Sequence, residues 1–329
     1  MMFSSQWKTA MRGAFLGSNA CAAPAASVVP GTLQRPEGPR HYLAALPEMP
    51  PQADPLVQGR LPLVIVLHGA GASAAQLLGL AFPPSPLSVW LQIAARERVI
   101  VVAADAGKGG WSDCFASDKR VAKKDDVAFI GALIDHAVAR HGADPERVYV
   151  VGVSRGGLMA YRIAAEIPHR LAAFSSVLAC MPPTGRAAAP SKALPALIIG
   201  CTADPFMPYA GGKFFKTLGF MKPVRSIEDS VRIWRELAGL PETPGVLELP
   251  RNPASGRTRA TRYLWGEQPD GMQVGLYRIE HGGHAEPSRT KRYPGFINRL
   301  TGLQNADFEV AEAVWEFFRP KRARRQPPL

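Results

Sequence analysis

A serine, an aspartate and a histidine occur along this chain in an order that could build a nucleophile. Ser154 lies in Gly152-Val-Ser-Arg-Gly156, directly after an apolar run and before a helical pattern. A serine on a sharp strand-to-helix turn has a strained backbone, and its flanking glycines let neighbouring elements approach closely. Such a serine can attack a carbonyl group. The bare three-position pattern is weak evidence, because roughly one chain in seven of this composition would contain it by chance.

Asp204 is the candidate acid. It follows the apolar run 197–202, at the carboxyl end of a predicted buried strand, where parallel sheets present their functional groups. Pro205 and Pro208 stiffen the loop that carries it. Other acidic residues in this part of the chain have explanations as helix caps or turns; they are Glu228, Asp229 and Asp270.

His284 is the candidate base. A strand-like run, 273–280, leads into His281-Gly-Gly-His284, and the two glycines allow the loop to bring His284 back over the sheet edge. His281 is the alternative, although it is more simply a strand-end residue. The remaining histidines on or beside predicted helices are expected at the surface; they are His136, His141 and His169.

A second glycine-rich turn, His68-Gly-Ala-Gly71, follows the earlier buried run 61–67. A backbone N–H from such a turn, together with the N–H of Arg155, can stabilise a developing oxyanion. Two such donors contribute several kcal/mol to lowering a barrier. His68 itself is expected to be a hydrogen-bonded core residue more readily than a catalytic one.

Short apolar runs alternate with longer helical patterns from residue 61 onward, and this alternation predicts an α/β fold with a mostly parallel sheet covered by helices on both faces. Asp125 and Asp126 begin one helix, which Gly142 ends, and Ser226 to Asp229 form a capping box. The predicted strands are 61–67, 98–104, 147–152, 171–179, 195–200 and 273–280, with another near 259–265 and a short piece at 41–46. A last helix is expected to begin at 305–307, to run through Phe318 and to end at Pro320.

Composition and charge bound the class of protein. The chain has 329 residues, 47% of them hydrophobic, and a net charge of +12. The absence of a long apolar run argues against a membrane-embedded body. Much of the positive excess lies in the basic segment 319–325, and we expect no nucleic-acid partner, because no basic stripe is interleaved with aromatic residues. Three regions are expected: a disordered extension or weak leader (1–40), a catalytic domain (41–319) and a disordered basic tail (320–329).

Cysteine and histidine spacing favours neither a metal site nor a disulfide framework, and no cofactor is expected. The four cysteines are Cys21, Cys114, Cys180 and Cys201. Cys180 and Cys201 end neighbouring predicted strands, so they could form a bridge in an exported protein, although free buried thiols are commoner.

These motifs resemble the poly(3-hydroxybutyrate) depolymerase-like esterases of the α/β-hydrolase superfamily, whose relatives include feruloyl and acetylxylan esterases. The resemblance extends over about residues 40–318, and it rests on the segment around Ser154, on Thr202 to Gly212 and on Gly-Gly-His284. It implies an α/β-hydrolase fold, a serine esterase and an extracellular or periplasmic location. The weak leader signal leaves a cytoplasmic location as the alternative. Carried over, Ser154 is the nucleophile, Asp204 the orienting acid and His284 the base. The oxyanion donors would be Ala70 and Arg155, and the substrate-binding residues His68, Gly69, Trp111 and Tyr209.

The chain departs from the family pattern at three places. Ala285-Glu286-Pro287 replaces Thr-Trp-Pro beside the base, the segment from Trp111 to Cys114 matches a cleft-bordering Trp-Asn segment only loosely, and Ala70 stands where many relatives have cysteine. The first two bear on the identity of the substrate rather than on hydrolysis. A small ester or a polyester is the expected substrate. The alternatives are a peptidase or thioesterase on the same fold and a binding protein that has lost catalysis; the ordered triad argues against the last.

Overall fold

Within the residues that the structure describes, ten strands form one large sheet and two more form a small one. The computed structural model describes residues 26–48, 60–113, 124–183, 189–214 and 222–323. The strands are β1 (Ala26–Arg35), β2 (Gly38–Pro47), β3 (Leu61–Leu67), β4 (Ile100–Ala104), β5 (Ala143–Val153), β6 (Ala173–Val177), β7 (Ala196–Cys201), β8 (Gly212–Phe214), β9 (Lys222–Val224), β10 (Gly245–Glu248), β11 (Arg259–Trp265) and β12 (Val274–Glu280). The helices are α1 (Ala74–Leu77), α2 (Trp90–Glu97), α3 (Asp126–His141), α4 (Arg155–Glu166), α5 (Ile227–Leu237), α6 (Gly295–Thr301) and α7 (Val310–Phe318). Short 3₁₀ helices lie at Pro86–Val89, Pro168–Arg170 and Pro253–Ser255.

The large sheet has the order β1-β2-β4-β3-β5-β6-β7-β12-β11-β10. Its central pairings, from β4 through β12, are parallel, whereas the pairings at both edges are antiparallel. The prediction of a mostly parallel sheet is therefore confirmed. The strands predicted at 61–67 and near 259–265 have those bounds in the structure.

Both faces of the sheet are covered, which explains why its central strands are apolar along their whole length. Along β3, Leu63 and Ile65 pack on one face with α3, α4 and α5. Val64 and Val66 pack on the other face with α1, α2 and α7. Trp234 of α5 and Trp315 of α7 are large buried residues on these two opposite faces.

Local helix signals act as predicted at two helices. The Asp125 carboxylate accepts the Ala128 N–H, and Gly142 ends α3 in the left-handed conformation. At α5 the Ser226 hydroxyl accepts the Asp229 N–H at 2.9 Å.

The last helix begins later than predicted, at Val310. Asp307, expected to start it, instead binds a neighbouring loop. Its carboxylate accepts the Asn252 N–H, the Ser255 hydroxyl and the Ala260 N–H. These bonds hold the loop against β11, so the carboxylate does not cap α7.

Residues at both ends of the expected domain belong to the fold. Residues 26–35 form β1, which pairs with β2 over its whole length, so the extension expected for 1–40 is wrong from residue 26 onward. The glycine and proline content of β1 conceals its strand pattern, and Gly31 leaves the space in which the Tyr42 ring crosses the hairpin. Residues 1–25 lie outside the described part.

The basic tail expected at 320–329 differs from the structure in residues 320–323. The Lys321 ammonium is buried and donates to the Pro269 carbonyl, to the Gly271 carbonyl at 3.1 Å and to the Gln273 side chain at 2.7 Å. The Lys321 carbonyl accepts the Tyr149 hydroxyl at 2.7 Å. Burial lowers the pKa of Lys321 to about 8, and the hydrogen bonds of its ammonium and carbonyl groups hold this segment to the domain.

Among the described residues, no helix combines the length and apolarity that crossing a membrane requires.

Cys180 and Cys201 are free, buried thiols, and burial raises the pKa of both. Cys21 and Cys114 lie outside the described residues.

Candidate active site

The three predicted residues meet at the carboxyl ends of the parallel strands. Ser154 directly follows β5, Asp204 lies three residues after β7, and His284 lies four residues after β12. Only β6 separates β5 from β7, and β12 is the next strand along. Loops that leave the same edge of one sheet thus bring together residues 130 positions apart, at Ser154 and His284.

Ser154 occupies a backbone conformation that side chains rarely adopt, with φ 54° and ψ −118°. The turn closes so tightly that a Cβ on Gly152 would lie 2.0 Å from the Gly156 carbonyl oxygen. A Cβ on Gly156 would lie 2.2 Å from the Leu67 carbonyl oxygen. Both glycines of the motif are therefore required sterically, and together they pack α4 against β3 and β5.

The three side chains form a continuous chain of hydrogen bonds. His284 Nε2 lies 2.9 Å from Ser154 Oγ, and His284 Nδ1 lies 2.6 Å from Asp204 Oδ2. Ser154 stands at the N-cap of α4, yet its hydroxyl makes no capping bond. The hydroxyl is thereby left to the imidazole.

Asp204 is fixed by its own loop. Its Oδ1 accepts the backbone N–H groups of Phe206 and Met207, each at 2.8 Å, while Oδ2 faces His284. The carboxylate is almost fully buried. With a carboxylate at Nδ1, that nitrogen carries the ring proton of a neutral imidazole, and Nε2 faces the serine as an acceptor.

The pKa of His284 is raised. Burial acts to lower this pKa, but the charge of Asp204, the hydrogen bond to Asp204 and the charge of Glu286 outweigh it. The imidazolium form is therefore stabilised where a proton from the serine would arrive.

The two glycines before His284 permit close packing. A Cβ on Gly282 would lie 2.6 Å from Ile279 and 2.8 Å from Cys201 Sγ, and one on Gly283 would lie 2.2 Å from the Thr301 carbonyl oxygen. The His284 N–H donates to that carbonyl at 2.5 Å. His281, the alternative base, is exposed, and its N–H donates to the Thr202 hydroxyl.

His68, expected to contact the substrate, is buried and does not line the cavity that opens beside Ser154 and His284. Its Nε2 accepts the Ala106 N–H at 3.1 Å, hence Nδ1 carries the proton that it donates to the Gly69 carbonyl at 2.8 Å. The peptide between Gly69 and Ala70 is planar and trans, so its N–H points opposite to its carbonyl. By holding that carbonyl, His68 orients the Ala70 N–H away from itself. Gly69, also expected at the substrate, does line the cavity.

Trp111 is buried rather than exposed to substrate. Its indole N–H donates to the His68 carbonyl at 2.8 Å, and its ring packs 5.2 Å from the His68 ring. Two residues further on, buried Asp113 accepts a hydrogen bond from the Arg155 guanidinium. The segment 111–113 therefore supports the glycine-rich turn that begins at His68 and the residue after the serine. Sequence reasoning did not single out Asp113, because nothing local links it to a position 42 residues away.

Tyr209 also lies away from the cavity. Its hydroxyl donates to Glu228 at 3.4 Å, and the Arg278 guanidinium lies over its ring. Burial raises the pKa of Tyr209, and the charge of Glu228 acts in the same direction. Its expected role in substrate binding is thus not matched by its position.

A cavity of about 480 Å³ opens beside Ser154 and His284, a size within the usual range for small-molecule sites. Its wall is mostly apolar. The lining residues are Gly69, Ala70, Gly71, Ala72, Gln76, Leu77, Pro83, Ser85, Val153, Ser154, Phe206, His284, Glu286, Tyr293, Ile297 and Thr301. Ser85, Tyr293 and Ile297 were not identified from the sequence, because they come from loops and a short helix with no motif.

Exposed apolar side chains lie next to this lining. Phe82 and Phe296 adjoin the lining residues Pro83 and Ile297, and their rings lie 6.5 Å apart. Both are more than half exposed, as is Leu300. Apolar surface of this kind beside a cavity favours contact with an apolar ligand.

Metal-ligand spacing is not found in the described part of the chain, where no group of three or more His, Cys, Asp or Glu residues could hold an ion.

Arg155 begins α4, and the first N–H groups of a helix have no acceptor within it. What the arrangement offers chemically is a hydroxyl, a base and backbone N–H donors.

Comparison with known proteins shows the family to which the chain belongs. The model of the alpha/beta hydrolase family matches residues 64–306. The chain belongs to the α/β-hydrolase family. This α/β hydrolase is 31% identical over 269 residues to NocK of Nocardia uniformis subsp. tsuyamanensis, which is named as an esterase; the match covers 79% of this chain and 75% of NocK.

Two more distant matches involve larger or structurally known esterases. Feruloyl esterase B of Piromyces equi is 25% identical over 228 residues, which are 68% of this α/β hydrolase but only 40% of that protein. The acetyl xylan esterase from Aspergillus awamori superposes with a TM-score of 0.53 at 13% identity, covering 89% of this chain and 99% of that one. The latter match shows the shared fold. The α/β-hydrolase fold predicted from the motifs and the kinship with feruloyl esterases are thereby confirmed.

Proposed function

We propose that this α/β hydrolase is a serine esterase that cleaves carboxylic esters through an acyl-enzyme intermediate. The observation that carries the proposal is the hydrogen-bonded chain from Ser154 Oγ through His284 to Asp204. Each member has the partner that its role requires, and the cavity gives a carbonyl group access to Ser154.

In this mechanism His284 Nε2 takes the hydroxyl proton as Ser154 Oγ attacks the ester carbonyl. The N–H groups of Ala70 and Arg155 stabilise the oxyanion of the tetrahedral intermediate. The intermediate collapses as His284 gives the proton to the leaving alcohol, and Ser154 keeps the acyl group. Water, activated by the same imidazole, then releases the acid.

The substrates that we propose are esters with a largely apolar acyl part, such as short hydroxyalkanoate oligomers or esters of the feruloyl type. The apolar lining and the exposed rings of Phe82 and Phe296 support this choice. We extend the proposal to an extracellular or periplasmic location, which follows from the family resemblance. Cell fractionation and sequencing of the mature N-terminus test the location.

The decisive experiment compares Ser154→Ala with the wild type on p-nitrophenyl esters of increasing chain length, hydroxybutyrate oligomers and methyl ferulate. A peptide amide and a thioester are included, so that a peptidase or thioesterase is recognised. Ser154→Ala should lose nearly all turnover, and an organophosphate should label Ser154 in the wild type. Retained esterase activity in Ser154→Ala, or labelling of another serine, would contradict the proposal.

Thr202→Val is a matched control at the same sheet edge. It removes the hydroxyl that accepts the His281 N–H, a contact outside the three-residue chain. We expect it to retain most of the turnover that Ser154→Ala loses.

A further inference from the structure

One carboxylate stands in the wall of the active cavity. Among the described residues that line the cavity, Glu286 is the one acidic residue, and neither lysine nor arginine lines it. The chain as a whole has a net charge of +12, so the cavity wall is negative within a basic protein. The wall as a whole is mainly apolar, which weakens the screening of the charge by water.

Neutral groups hold Glu286 in place. The Ser85 hydroxyl donates to Oε1 at 3.0 Å, and the Tyr293 hydroxyl donates to Oε2 at 2.9 Å. Its backbone carbonyl accepts the Gln304 amide at 2.8 Å, and only 5% of the residue is exposed. These donors fix the carboxylate without cancelling its charge, and each oxygen keeps a further lone pair.

Glu286 and His284 line the same cavity. His284 gives its proton to the leaving alcohol, so that alcohol is adjacent to the imidazole. Glu286 follows His284 by two residues, and its charge acts on the imidazole. An alcohol held beside His284 therefore faces a fixed negative charge.

We propose that Glu286 makes this cavity select esters whose alcohol part carries a positively charged ammonium group over esters with a neutral alcohol of the same shape. The inference rests on the proposed esterase function. An ammonium group beside a buried carboxylate gains a charge-assisted interaction that a neutral group cannot make.

The test uses acetylcholine and 3,3-dimethylbutyl acetate, which have nearly the same shape and differ in charge. Both are assayed with the wild type and with Glu286→Gln at a pH at which His284 is neutral in both proteins. The wild type should show a kcat/KM about tenfold or more higher for acetylcholine, because its trimethylammonium group, which has no N–H to donate, is attracted to the carboxylate by charge alone in a cavity whose walls are mostly apolar. In Glu286→Gln the ratio should approach one.

Tyr293→Phe is the matched control, because it removes one hydrogen bond to the carboxylate and leaves the charge. It should keep the preference for acetylcholine, whereas a role of Glu286 as a structural brace alone would give no preference in any of the three proteins. Should Glu286→Gln not fold, as judged by circular dichroism, inhibition of the wild type decides. Choline should then inhibit more strongly than 3,3-dimethylbutan-1-ol.

The outcomes separate the two proposals. A wild type that hydrolyses the neutral ester at least as well as acetylcholine overturns the role of Glu286 and leaves the esterase intact. A preference that persists in Glu286→Gln overturns it as well. A wild type that hydrolyses neither these esters nor any p-nitrophenyl ester overturns the esterase itself, and with it this inference.

Discussion

Asp204 uses its two carboxylate oxygens for different tasks. One accepts two backbone N–H groups of its own loop, and the other faces His284. The loop therefore fixes the carboxylate, and the carboxylate in turn fixes the imidazole. This division explains how a residue on a loop can orient a base that the chain reaches 80 residues later.

The raised pKa of His284 predicts the acid limb of the pH profile. The base must be neutral to accept the serine proton, so kcat/KM should fall as the pH drops through the pKa of His284. Because Asp204 and Glu286 outweigh burial, the midpoint should lie above the ordinary imidazole value of about 6.5. The measurement is kcat/KM for a neutral ester between pH 5 and 9, a range of roughly two pH units on either side of about 7.

Asp204→Asn provides the check on that assignment. The amide removes the negative charge and favours the wrong imidazole tautomer, so the rate should fall by about 10⁴-fold and any residual acid limb should move to lower pH. An unchanged midpoint in Asp204→Asn would show that another group sets the limb.

The residues of this site were predictable from sequence to different degrees. Ser154, Asp204 and His284 each follow a strand, so position relative to the strand ends identified them. Trp111 and Tyr209 were assigned to the substrate by resemblance alone, and tertiary packing places them elsewhere. The ends of predicted strands, taken in chain order, indicate from the sequence where a site lies. The wall of a cavity depends on the paths of loops, which have no periodic pattern in the sequence.

At the scale of elements, the central strands were predictable because burial on both faces makes them uniformly apolar. The edge strand β1 was not, because it alternates between partial and full exposure and contains proline and glycine. The start of α7 was misplaced for another reason: an Asp-containing segment that resembles a cap binds a distant loop. Local signals therefore fail where a tertiary partner competes for the same side chain.

Two glycine substitutions should change stability in opposite directions, because one glycine lies where α4 packs against the sheet and the other has free space beside it. Gly152→Ala should destabilise the protein by several kcal/mol, since its Cβ would lie 2.0 Å from a backbone oxygen that cannot move alone. Gly131→Ala, in the interior of α3, meets nothing within 4 Å and should stabilise it by about 0.5 to 1 kcal/mol through helix propensity. Urea unfolding of both variants measures the two changes.

A Gly152→Ala protein as stable as the wild type would mean that α4 can move away from β5 at little cost. The measured activity would then show whether the position of Ser154 moves with the helix.

At the scale of the whole molecule, Lys321 connects the end of the chain to two distant segments. Lys321→Ala should lower the free energy of unfolding by about 1 to 3 kcal/mol, because it leaves three acceptors without their donor, and the Gln273 side chain among them is buried. Arg319→Ala is the matched control. Its side chain is 63% exposed and lies 3.8 Å from Glu97, so it should change stability by less than about 0.5 kcal/mol.

Both variants are compared by urea unfolding, with kcat/KM for a neutral ester as a second readout. Equal stability of the two would show that the segment after α7 does not contribute to the fold. The basic composition of residues 319–325 predicted a solvated segment. Composition alone does not reveal that one basic residue among several, Lys321, is buried.

The strained backbone of Ser154 sets activity against stability. A residue with a side chain at this φ and ψ lowers the free energy of unfolding by about 1 to 3 kcal/mol through backbone strain, whereas glycine adopts the conformation freely. Ser154→Gly should therefore unfold at a higher temperature than Ser154→Ala, although both lose the hydroxyl and glycine is ordinarily the less stable of the two. The reverse order in thermal unfolding would show that the turn carries no strain. A chain selected for stability alone would have glycine at position 154, so the proposed nucleophile occupies a position at which the fold would be more stable without a side chain.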